Sequence, residues 1–340
     1  MYSFLNDYSE GAHPKVLKAL EKSNFVQTVG YGQDEYCQKA KEIIQKRIQD
    51  PTADVHFLVG GTQANMTLIS HILKPYQAVI ACDEGHINGH ETGAVESTGH
   101  KILVRPHKDG KLTVDMIEDI LSEHTDEHKV QPRMVYISQT TELGSYYTKE
   151  ELEAIYACTQ KNNLYLFLDG ARLGSAIVQE DAPSFVDIAK NTDAFYIGGT
   201  KMGALFGEAL VILNADIKKD FRYSIKQKGG MLAKGRLLGV QFCALLEDDL
   251  YEEIGRYENE LAVMIKNAFE KSGYDIYVPS TTNQVFVDLP ENILQQIEKE
   301  YMVARFVPLK DGRTRIRIVT SWATPRDVVE EFAKKISLLK

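Results

Sequence analysis

Short apolar runs alternate with amphipathic stretches along most of the chain. The runs are apolar at nearly every position, which is typical of strands buried on both faces. They predict strands at Val55–Val59, Ala78–Cys82, Ile102–Arg105, Met134–Ser138, Leu164–Asp169, Ala194–Ile197 and Ala209–Leu213. The stretches between them predict helices at Gln63–Leu73, Thr113–Ser122 and Thr148–Asn162. This alternation predicts an α/β fold, with a mostly parallel mixed sheet between layers of helices.

The pattern changes after about Leu246, where helical and strand segments no longer alternate regularly. The elements predicted there are the helices Asp249–Lys271 and Asn292–Glu300 and the strands Gln284–Asp288, Val303–Val307 and Arg315–Thr320. This mixture is typical of a smaller α+β unit. We therefore expect a large domain at residues 1–246 and a small C-terminal domain at residues 247–340.

Composition adds limits on the partners of the protein. Hydrophobic residues make up 44% of the chain and charged residues 26%, which is the balance of an ordinary globular protein. The net charge of −9 gives no bulk attraction for nucleic acid or for an anionic membrane, so we expect neither as a partner. No apolar run approaches the roughly 18 residues that a membrane span needs.

The cysteines indicate the cellular compartment. Cys37, Cys82, Cys158 and Cys243 lie far apart, and no pair has the spacing of a metal site or of a redox motif. The segment Met1–Gly11 has neither the basic region nor the apolar region of a signal peptide. We therefore expect reduced thiols in the core of a cytoplasmic protein.

Polar or glycine-rich segments follow several of the predicted strands. Asp169 ends a buried strand, at the edge of the sheet where α/β proteins bind ligands. Lys201 lies among the small residues of the run 198–203, directly after the next strand. At Gly60 and Gly61 a strand turns into a helix, and the exposed N–H groups of a helix start favour a phosphate.

Each of these features has an ordinary structural explanation when it is taken alone. A Gly-Gly turn is often only tight geometry, a strand-end aspartate is often a helix cap, and a loop lysine is often solvated. Together, however, they match pyridoxal 5′-phosphate (PLP), which needs a phosphate site, a carboxylate for its pyridine nitrogen and a lysine for attachment. We therefore predict PLP as the cofactor.

Further motifs are spread almost from end to end of the chain. In chain order they are Asn6–Ser9, Gly30–Gly32, Gly61–Asn65, His86, Asp169–Arg172, Lys201–Gly203, Gly229–Met231 and Arg317–Thr320. In these strings the chain resembles the threonine aldolases of the β-eliminating lyase group, which are fold-type I PLP enzymes. The Asp-Gly-Ala-Arg and Gly-Thr-Gln-Ala-Asn strings are the more specific ones. The context of Lys201 is looser, because the family more commonly has Ser-Lys-Gly.

The resemblance implies a PLP-dependent lyase that splits β-hydroxy-α-amino acids, such as threonine and allo-threonine, into glycine and acetaldehyde. Gly61 and Thr62 would bind the phosphate, and Asp169 would bind the pyridine nitrogen. Lys201 would carry the cofactor as a Schiff base. Asp169 and Lys201 would therefore both be catalytic.

The resemblance also implies the residues around the ring and the substrate. His86 would stack on one face of the ring, and Ala171 is small enough to let the ring lie on the other side. Arg172 and Arg317 would hold the substrate carboxylate, since a guanidinium binds a carboxylate through two parallel hydrogen bonds. Arg172 would also contact the cofactor. Asn6, where the family usually has serine, would bind the substrate carboxylate together with these arginines.

The sequence departs from the family pattern in two places. A histidine that the family places near the substrate is Glu142 here, and we expect this carboxylate to face the substrate and act as a base. His86 is the competing base, and a solvent-exposed Glu142 is the alternative. The basic residue that normally follows Gly-Gly-Met is Leu232, which leaves Lys226 or Lys228 as substitutes near the phosphate.

Other candidate residues have simpler interpretations. Arg313, Arg315 and Arg317 alternate along one predicted strand, so the first two are interpreted as surface residues. His86 and His90 have the spacing of a zinc pair on a helix, but the sequence lacks the H-E-x-x-H pattern. We therefore expect no metal.

The resemblance also bears on assembly. It implies a homodimer or homotetramer whose active sites are shared between subunits, in keeping with the closed symmetry of most oligomers. Tyr31, in the Gly30–Gly32 loop, is the candidate for a substrate-binding residue in the neighbouring subunit. Two alternative functions stay open. One is a PLP-dependent β-eliminating lyase or aminotransferase-like enzyme, and the other is a PLP-binding protein without catalysis.

Overall fold

The fold consists of strands and helices that alternate along most of the chain, as a computed structural model describes for residues 1–339. The strands are β1 (Tyr2–Ser3), β2 (Asp54–Leu58), β3 (Gln77–Cys82), β4 (Lys101–Arg105), β5 (Gln131–Ser138), β6 (Tyr165–Asp169), β7 (Ala194–Gly198), β8 (Glu208–Ile212), β9 (Asp275–Ile276), β10 (Gln284–Pro290), β11 (Tyr301–Met302), β12 (Ala304–Pro308) and β13 (Arg313–Val319). The helices are α1 (Pro14–Ser23), α2 (Glu35–Ile48), α3 (Gly61–Ile72), α4 (His86–Gly89), α5 (Val114–Glu123), α6 (Lys149–Lys161), α7 (Leu173–Ile177), α8 (Phe185–Lys190), α9 (Ala215–Lys218), α10 (Phe221–Gln227), α11 (Arg236–Leu246), α12 (Leu250–Lys271), α13 (Glu291–Ile297) and α14 (Arg326–Leu338), with a 3₁₀ turn at Glu96–Thr98.

A seven-stranded sheet forms the centre of the large unit, in the order β2-β8-β7-β6-β5-β3-β4. The strand β8 is antiparallel to both of its neighbours, and every other pair is parallel. The predicted α/β fold with a mostly parallel mixed sheet is therefore confirmed. The outer strand β4 is only partly buried, with Val104 38% exposed, so the expectation of full burial was wrong there.

Helices cover both faces of this sheet, so neighbouring residues of a strand enter different cores. Val79 and Phe167 pack in one apolar layer, and the residues that follow them, Ile80 and Leu168, pack in the other. Because both faces are covered, the central strands show no alternation of apolar and polar residues. This burial explains why the strands were visible in the sequence as continuous apolar runs.

The C-terminal unit is built on a four-stranded antiparallel sheet, in the order β12-β13-β10-β9. Its core includes Leu261, Val287, Ile318 and Phe332, so the predicted smaller α+β unit is confirmed. Phe4 packs in the same core, because β1 pairs in parallel with β11. The extreme N-terminal residues thus pack with the C-terminal unit, whereas the boundary at residues 246 and 247 stays a prediction.

Local signals in the sequence account for several element ends. At the start of α6, the Thr148 hydroxyl accepts a hydrogen bond from the Glu151 N–H (3.2 Å), and the Glu151 carboxylate accepts one from the Thr148 N–H (2.9 Å). This is the capping box that the sequence predicts.

In the described part of the chain, no helix is both long enough and apolar enough to cross a bilayer.

The long helix α12 crosses α7 at a glycine–glycine contact. A Cβ atom added at Gly255 would lie 2.1 Å from the carbonyl oxygen of Gly174. That oxygen belongs to the backbone, which cannot move aside as a flexible side chain can. Since Leu250 packs in the large core and Leu261 in the small one, this close crossing fixes the helix that joins the two.

We expect Gly255→Ala to lower the midpoint of thermal unfolding, because the added methyl group pushes α12 away from α7. Overpacking of this kind costs about 1–3 kcal/mol in the free energy of unfolding. Gly89→Ala is the matched control, since a Cβ atom at Gly89 meets nothing within 4 Å. Both variants would be measured by circular dichroism on heating. Equal midpoints for the two would contradict the packing argument.

Candidate active site

Polar segments meet at one edge of the large sheet, where its parallel strands end. Gly61 follows β2, His86 follows β3, Glu142 follows β5, Asp169 ends β6 and Lys201 follows β7. All five line one cavity of about 680 Å³. The carboxyl edge of a parallel sheet is where α/β proteins bind their ligands, so the structure brings the predicted strand-end residues together in such a place.

Asp169 is buried at the end of β6 and accepts hydrogen bonds from four groups. The Tyr136 hydroxyl (2.6 Å), the Asn65 side-chain amide (3.1 Å) and the Ala171 N–H (3.0 Å) donate to it, as does the Tyr196 hydroxyl. Burial and the charge of Asp169 raise the pKa values of Tyr136 and Tyr196 well above the usual range, so both phenols stay donors. Such a set of donors suits an ionised carboxylate.

Lys201 lies in the loop that connects β7 to β8. Removal from water lowers the pKa of its amine, and the nearby Arg172 guanidinium lowers it further, against the opposing charges of Asp7 and Asp169. A lower pKa increases the fraction of free amine, which is the nucleophilic form. Lys201 therefore has the chemistry that attachment of an aldehyde cofactor requires.

The helix α3 begins at the cavity wall with a turn of glycines. Gly60 precedes the helix and no side chain caps it, so the first N–H groups of α3 are left for a ligand. A Cβ atom at Gly61 would lie 2.8 Å from the Tyr196 hydroxyl oxygen, so glycine gives the backbone its closest approach. An uncapped helix start lined by Gly61 and Thr62 fits the phosphate of PLP.

His86 is oriented by a buried carboxylate that sequence reasoning missed. The Glu91 carboxylate lies 2.7 Å from His86 Nδ1 and also accepts a hydrogen bond from the Asn65 side chain (2.7 Å). Burial lowers the pKa of His86, but the hydrogen bond with Glu91 and the charge of Asp169 outweigh it and raise the pKa overall. Because Asn65 also donates to Asp169, one network holds both the histidine and the strand-end carboxylate.

Glu142 points into the cavity and not into solvent. Its Oε1 accepts hydrogen bonds from the His86 N–H (2.9 Å) and the Ser138 hydroxyl (2.7 Å). Its Oε2 is buried and has no partner among residues 1–339. Burial raises the pKa of Glu142 to about 7, although the Ser138 hydrogen bond lowers it. A carboxylate with one fixed and one free oxygen can exchange a proton with a bound molecule.

Of the two predicted substrate arginines, one is already paired. Arg172 forms a buried, bidentate ion pair with Asp7, with Nε–Oδ2 and Nη2–Oδ1 distances of 2.6 and 3.1 Å. Asp7 also accepts a hydrogen bond from Asn283 (2.9 Å). Arg317 also lines the cavity, and its Nε is buried without a partner in the described chain. Arg317 is therefore the arginine with a donor left for a substrate carboxylate, whereas Asp7 occupies two donors of Arg172.

Two other predicted site residues do not line the cavity of their own chain. The Asn6 side chain accepts hydrogen bonds from the Tyr8 N–H (2.9 Å) and the Ser9 hydroxyl (3.0 Å), so it closes its own turn. Tyr8 is the residue of this segment that lines the cavity. Tyr31 lies elsewhere, half exposed, with its ring 4.9 Å from the Lys226 amine. The role of Tyr31 in a neighbouring subunit stays a prediction.

Arg313 and Arg315 lie outside the cavity. Arg313 pairs with the exposed carboxylates of Asp275 and Asp311, as expected for a surface residue. Arg315 is mostly buried and pairs with the buried Asp288, so its interpretation as a surface residue was wrong. Within residues 1–339, no three His, Cys, Asp or Glu side chains are grouped closely enough to hold a metal ion. Sequence reasoning missed Glu208, which lines the cavity, and three residues that hydrogen-bond to lining residues, namely Asp7, Asn65 and Glu91. Of these, only Asp7 and Asn65 fall in strings noted for the resemblance.

Comparisons with known proteins agree with this geometry. The family described as beta-eliminating lyase matches residues 9–292. Two curated relatives, from Pseudomonas aeruginosa and Pseudomonas sp., are both named low specificity L-threonine aldolase. The first is 30% identical over 99% of this chain and 97% of its own length. The second is 31% identical over 98% of this chain and 96% of its own length.

A solved structure of a threonine aldolase from Leishmania major is also similar. It is 47% identical, with a TM-score of 0.98, over 100% of this chain and 99% of the other. This likeness confirms the predicted fold-type I architecture. Because the family match covers most of the sequence and the relatives match over nearly its full length, the chain belongs to the beta-eliminating lyase family.

Proposed function

We propose that the chain is a PLP-dependent lyase that cleaves threonine and related β-hydroxy-α-amino acids into glycine and an aldehyde. The observation that carries this proposal is the meeting of Lys201, Asp169 and the uncapped start of α3 in one cavity. Arg317 adds a carboxylate-binding group to the same cavity. The names of the relatives, threonine aldolases, point to the same reaction.

The cavity residues fit the cofactor part by part. Gly61 and Thr62 would bind the phosphate at the helix start, Asp169 would bind the pyridine nitrogen, and Lys201 would attach the aldehyde carbon. His86 would lie against one face of the ring, held by Glu91. When bound, PLP supplies an electron sink for the bond that breaks at the substrate Cα.

Arg317 positions the substrate by binding its carboxylate. Binding of the carboxylate fixes the rotation about the bond between the substrate nitrogen and Cα. It therefore decides which bond of Cα stands perpendicular to the ring. Arg172 would add a further contact from the guanidinium edge that Asp7 does not occupy, and Asp7 keeps that guanidinium in place. The two arginines therefore have different roles. Arg317 binds the carboxylate, and Arg172 forms part of the cavity wall beside it.

Glu142 removes the proton of the substrate β-hydroxyl group. Its Oε2 has no partner in the described chain and its pKa is about 7, so a large fraction is ionised at neutral pH. When the proton leaves, the oxygen becomes an aldehyde oxygen and the Cα–Cβ bond breaks. A proton is then returned to Cα, and glycine is released. His86, whose ring lies in the same cavity, is the competing base.

We also propose that the protein is cytoplasmic and works as a homodimer or homotetramer. All four cysteines are free and buried, which suits a reducing compartment. Phe25, Val29 and Tyr223 are largely exposed apolar side chains, and Tyr223 and Tyr31 line one shallow surface pocket. A second copy of the chain would cover such a surface and place Tyr31 at the neighbouring active site.

With PLP and L-threonine, the purified protein should form glycine and acetaldehyde in equal amounts. Lys201→Ala should lower kcat by several orders of magnitude, and borohydride should attach the cofactor to the peptide that contains Lys201. Ammonia with a keto acid would indicate β-elimination instead, and a keto acid without ammonia would indicate transamination. Bound PLP without any turnover would support the non-catalytic alternative.

Glu142→Gln should lower kcat by roughly 10²–10⁴-fold, because general base catalysis contributes about that much. Since burial raises the pKa of Glu142 to about 7, kcat/KM of the wild type should rise with pH through that value. The glutamine variant should lose this rise. Glu142→His should restore part of kcat and change the ratio of kcat/KM for L-threonine and L-allo-threonine.

The matched control for Glu142 is Glu150→Gln, which removes an exposed carboxylate at the start of α6. It should leave kcat and the pH profile as in the wild type. If Glu142→Gln also keeps the rise in kcat/KM near neutral pH, the base is His86.

Co-expression of Lys201→Ala and Tyr31→Ala chains should restore activity that neither variant shows alone. If Tyr31 completes the neighbouring site, a mixed dimer has one intact site, so random pairing gives about a quarter of the wild-type sites. Activity of the co-expressed chains would be compared with that of the two variants purified separately and mixed without exchange. No recovery on co-expression would place Tyr31 outside the shared site.

A further inference from the structure

Glu208 is a buried carboxyl group in the active-site cavity for which the proposed reaction has no role. It is the first residue of β8 and only 4% exposed. It pairs with Gly198 of β7 on one side and with Leu58 of β2 on the other. This register places Glu208 between the loop that carries Lys201 and the glycine turn that begins α3.

The Glu208 side chain is bonded to the loop that carries Lys201. Its Oε2 accepts a hydrogen bond from the Gly199 N–H (3.1 Å), and its Oε1 accepts one from the Thr200 hydroxyl (2.9 Å). The Thr200 oxygen in turn accepts a hydrogen bond from the Gly207 N–H (3.0 Å). Both residues before Lys201 are therefore tied to one carboxyl group, which restricts where the lysine can point.

Glu208 interacts with one cation, Lys201, and with one other carboxylate, Asp169. Burial raises the pKa of Glu208 to about 8, the charge of Lys201 opposes this rise, and the charge of Asp169 adds to it. The other titratable groups that interact with Glu208 are Tyr196 and Tyr251, both of which remain neutral because burial raises their pKa values. Lys201 is thus the only cation among the groups that interact strongly with Glu208 in the described chain.

The charge of Lys201 in turn depends on the groups around it. Burial and Arg172 disfavour the charged amine of Lys201, whereas Asp7, Asp169 and Glu208 favour it. Asp7 is already bound in two places by Arg172, and Asp169 receives four hydrogen bonds. Glu208 has fewer donors and is bonded directly to the lysine loop, so a change at Glu208 acts on Lys201 without dismantling either of those networks.

We propose that Glu208 is a positioning residue for Lys201, which holds its loop by hydrogen bonds and stabilises the positive charge on its nitrogen. This inference rests on the proposed function, since it concerns the nitrogen through which Lys201 attaches the cofactor. The charged nitrogen makes the attached carbon more open to attack by a substrate amine. The pKa of Glu208 is about 8, so its carboxyl group becomes charged as the pH rises through that value. Glu208 thereby extends toward alkaline pH the range over which Lys201 can be exchanged for substrate.

The test is the pH at which the absorbance of the PLP-loaded protein changes as the lysine nitrogen loses its proton. In Glu208→Gln this midpoint should fall by about one pH unit or more, because an opposite charge nearby raises such a pKa by that amount. Glu208→Asp keeps the charge but withdraws it by one methylene group, so its midpoint should lie between those of the wild type and the glutamine variant.

Glu258→Gln is the matched control. Glu258 is as deeply buried as Glu208, but its pKa is raised well above the usual range by burial, so replacing it removes no charge. It should change the thermal unfolding midpoint without moving the absorbance midpoint. A purely structural role of Glu208 would behave in the same way as this control.

An absorbance midpoint in Glu208→Gln equal to that of the wild type would overturn the proposal. If the glutamine variant does not fold, Glu208→Asp decides, and an unmoved midpoint there overturns it equally. Failure of the proposed function is recognised separately, because the wild type would then form no glycine and acetaldehyde from threonine. If the wild type is active but the absorbance midpoints of the Glu208 variants equal that of the wild type, the proposed function stands and only the role of Glu208 is removed.

Discussion

The buried carboxylate of Asp169 is the group around which the rest of the cavity is arranged. Its four donors come from β5, α3, β7 and the turn after β6. Each of these elements must therefore hold a defined position relative to Asp169. Position 170 in that turn allows no side chain, because a Cβ atom at Gly170 would lie 1.9 Å from the carbonyl oxygen of Tyr196. The Asp-Gly-Ala-Arg string is therefore a packing requirement as well as a chemical one.

The cavity also illustrates how local charge can differ from the charge of the whole chain. The protein carries a net charge of −9, yet Lys201, Arg172 and Arg317 lie together at one edge of the sheet. Buried carboxylates offset part of the repulsion between these cations, with Asp7 bound to Arg172 and Glu208 interacting with Lys201. Of these three cations, Arg317 has a buried donor without a partner in the described residues, and an incoming anion would gain a hydrogen bond there.

Much of this arrangement could be predicted from the sequence, because it depends on short-range patterns. The central strands are continuous apolar runs, and Asp169 and Lys201 follow such runs directly. The ion pair of Asp7 with Arg172 could not be predicted, since its partners are 165 residues apart and nothing in either string indicates that the two residues meet. Glu208 was hidden for another reason, because a glutamate that begins an apolar strand looks like a surface residue.

The helix α11 was missed although it lies in the middle of the chain. It packs against α1, α2 and α12, and most of its residues are buried, so it lacks the polar face that marks a helix in the sequence. By contrast, α6 has both an amphipathic pattern and a capping box, and its bounds were predicted to within one residue. Burial on most sides thus removes the periodic signal from a helix, whereas burial on both faces leaves a strand recognisable as an apolar run.

The pairing of β1 with β11 has a consequence for how the protein is made. Tyr2 leaves the ribosome long before its partner, Tyr301, because the two lie far apart along the chain. Since domains generally fold as they emerge, the large sheet can form while the first residues still wait for their partner. Phe4 then enters the C-terminal core and draws Asp7 toward Arg172. The segment from Tyr2 to Asp7 is therefore synthesised early but packed late, and a chain that ends before Tyr301 lacks the strand with which β1 pairs.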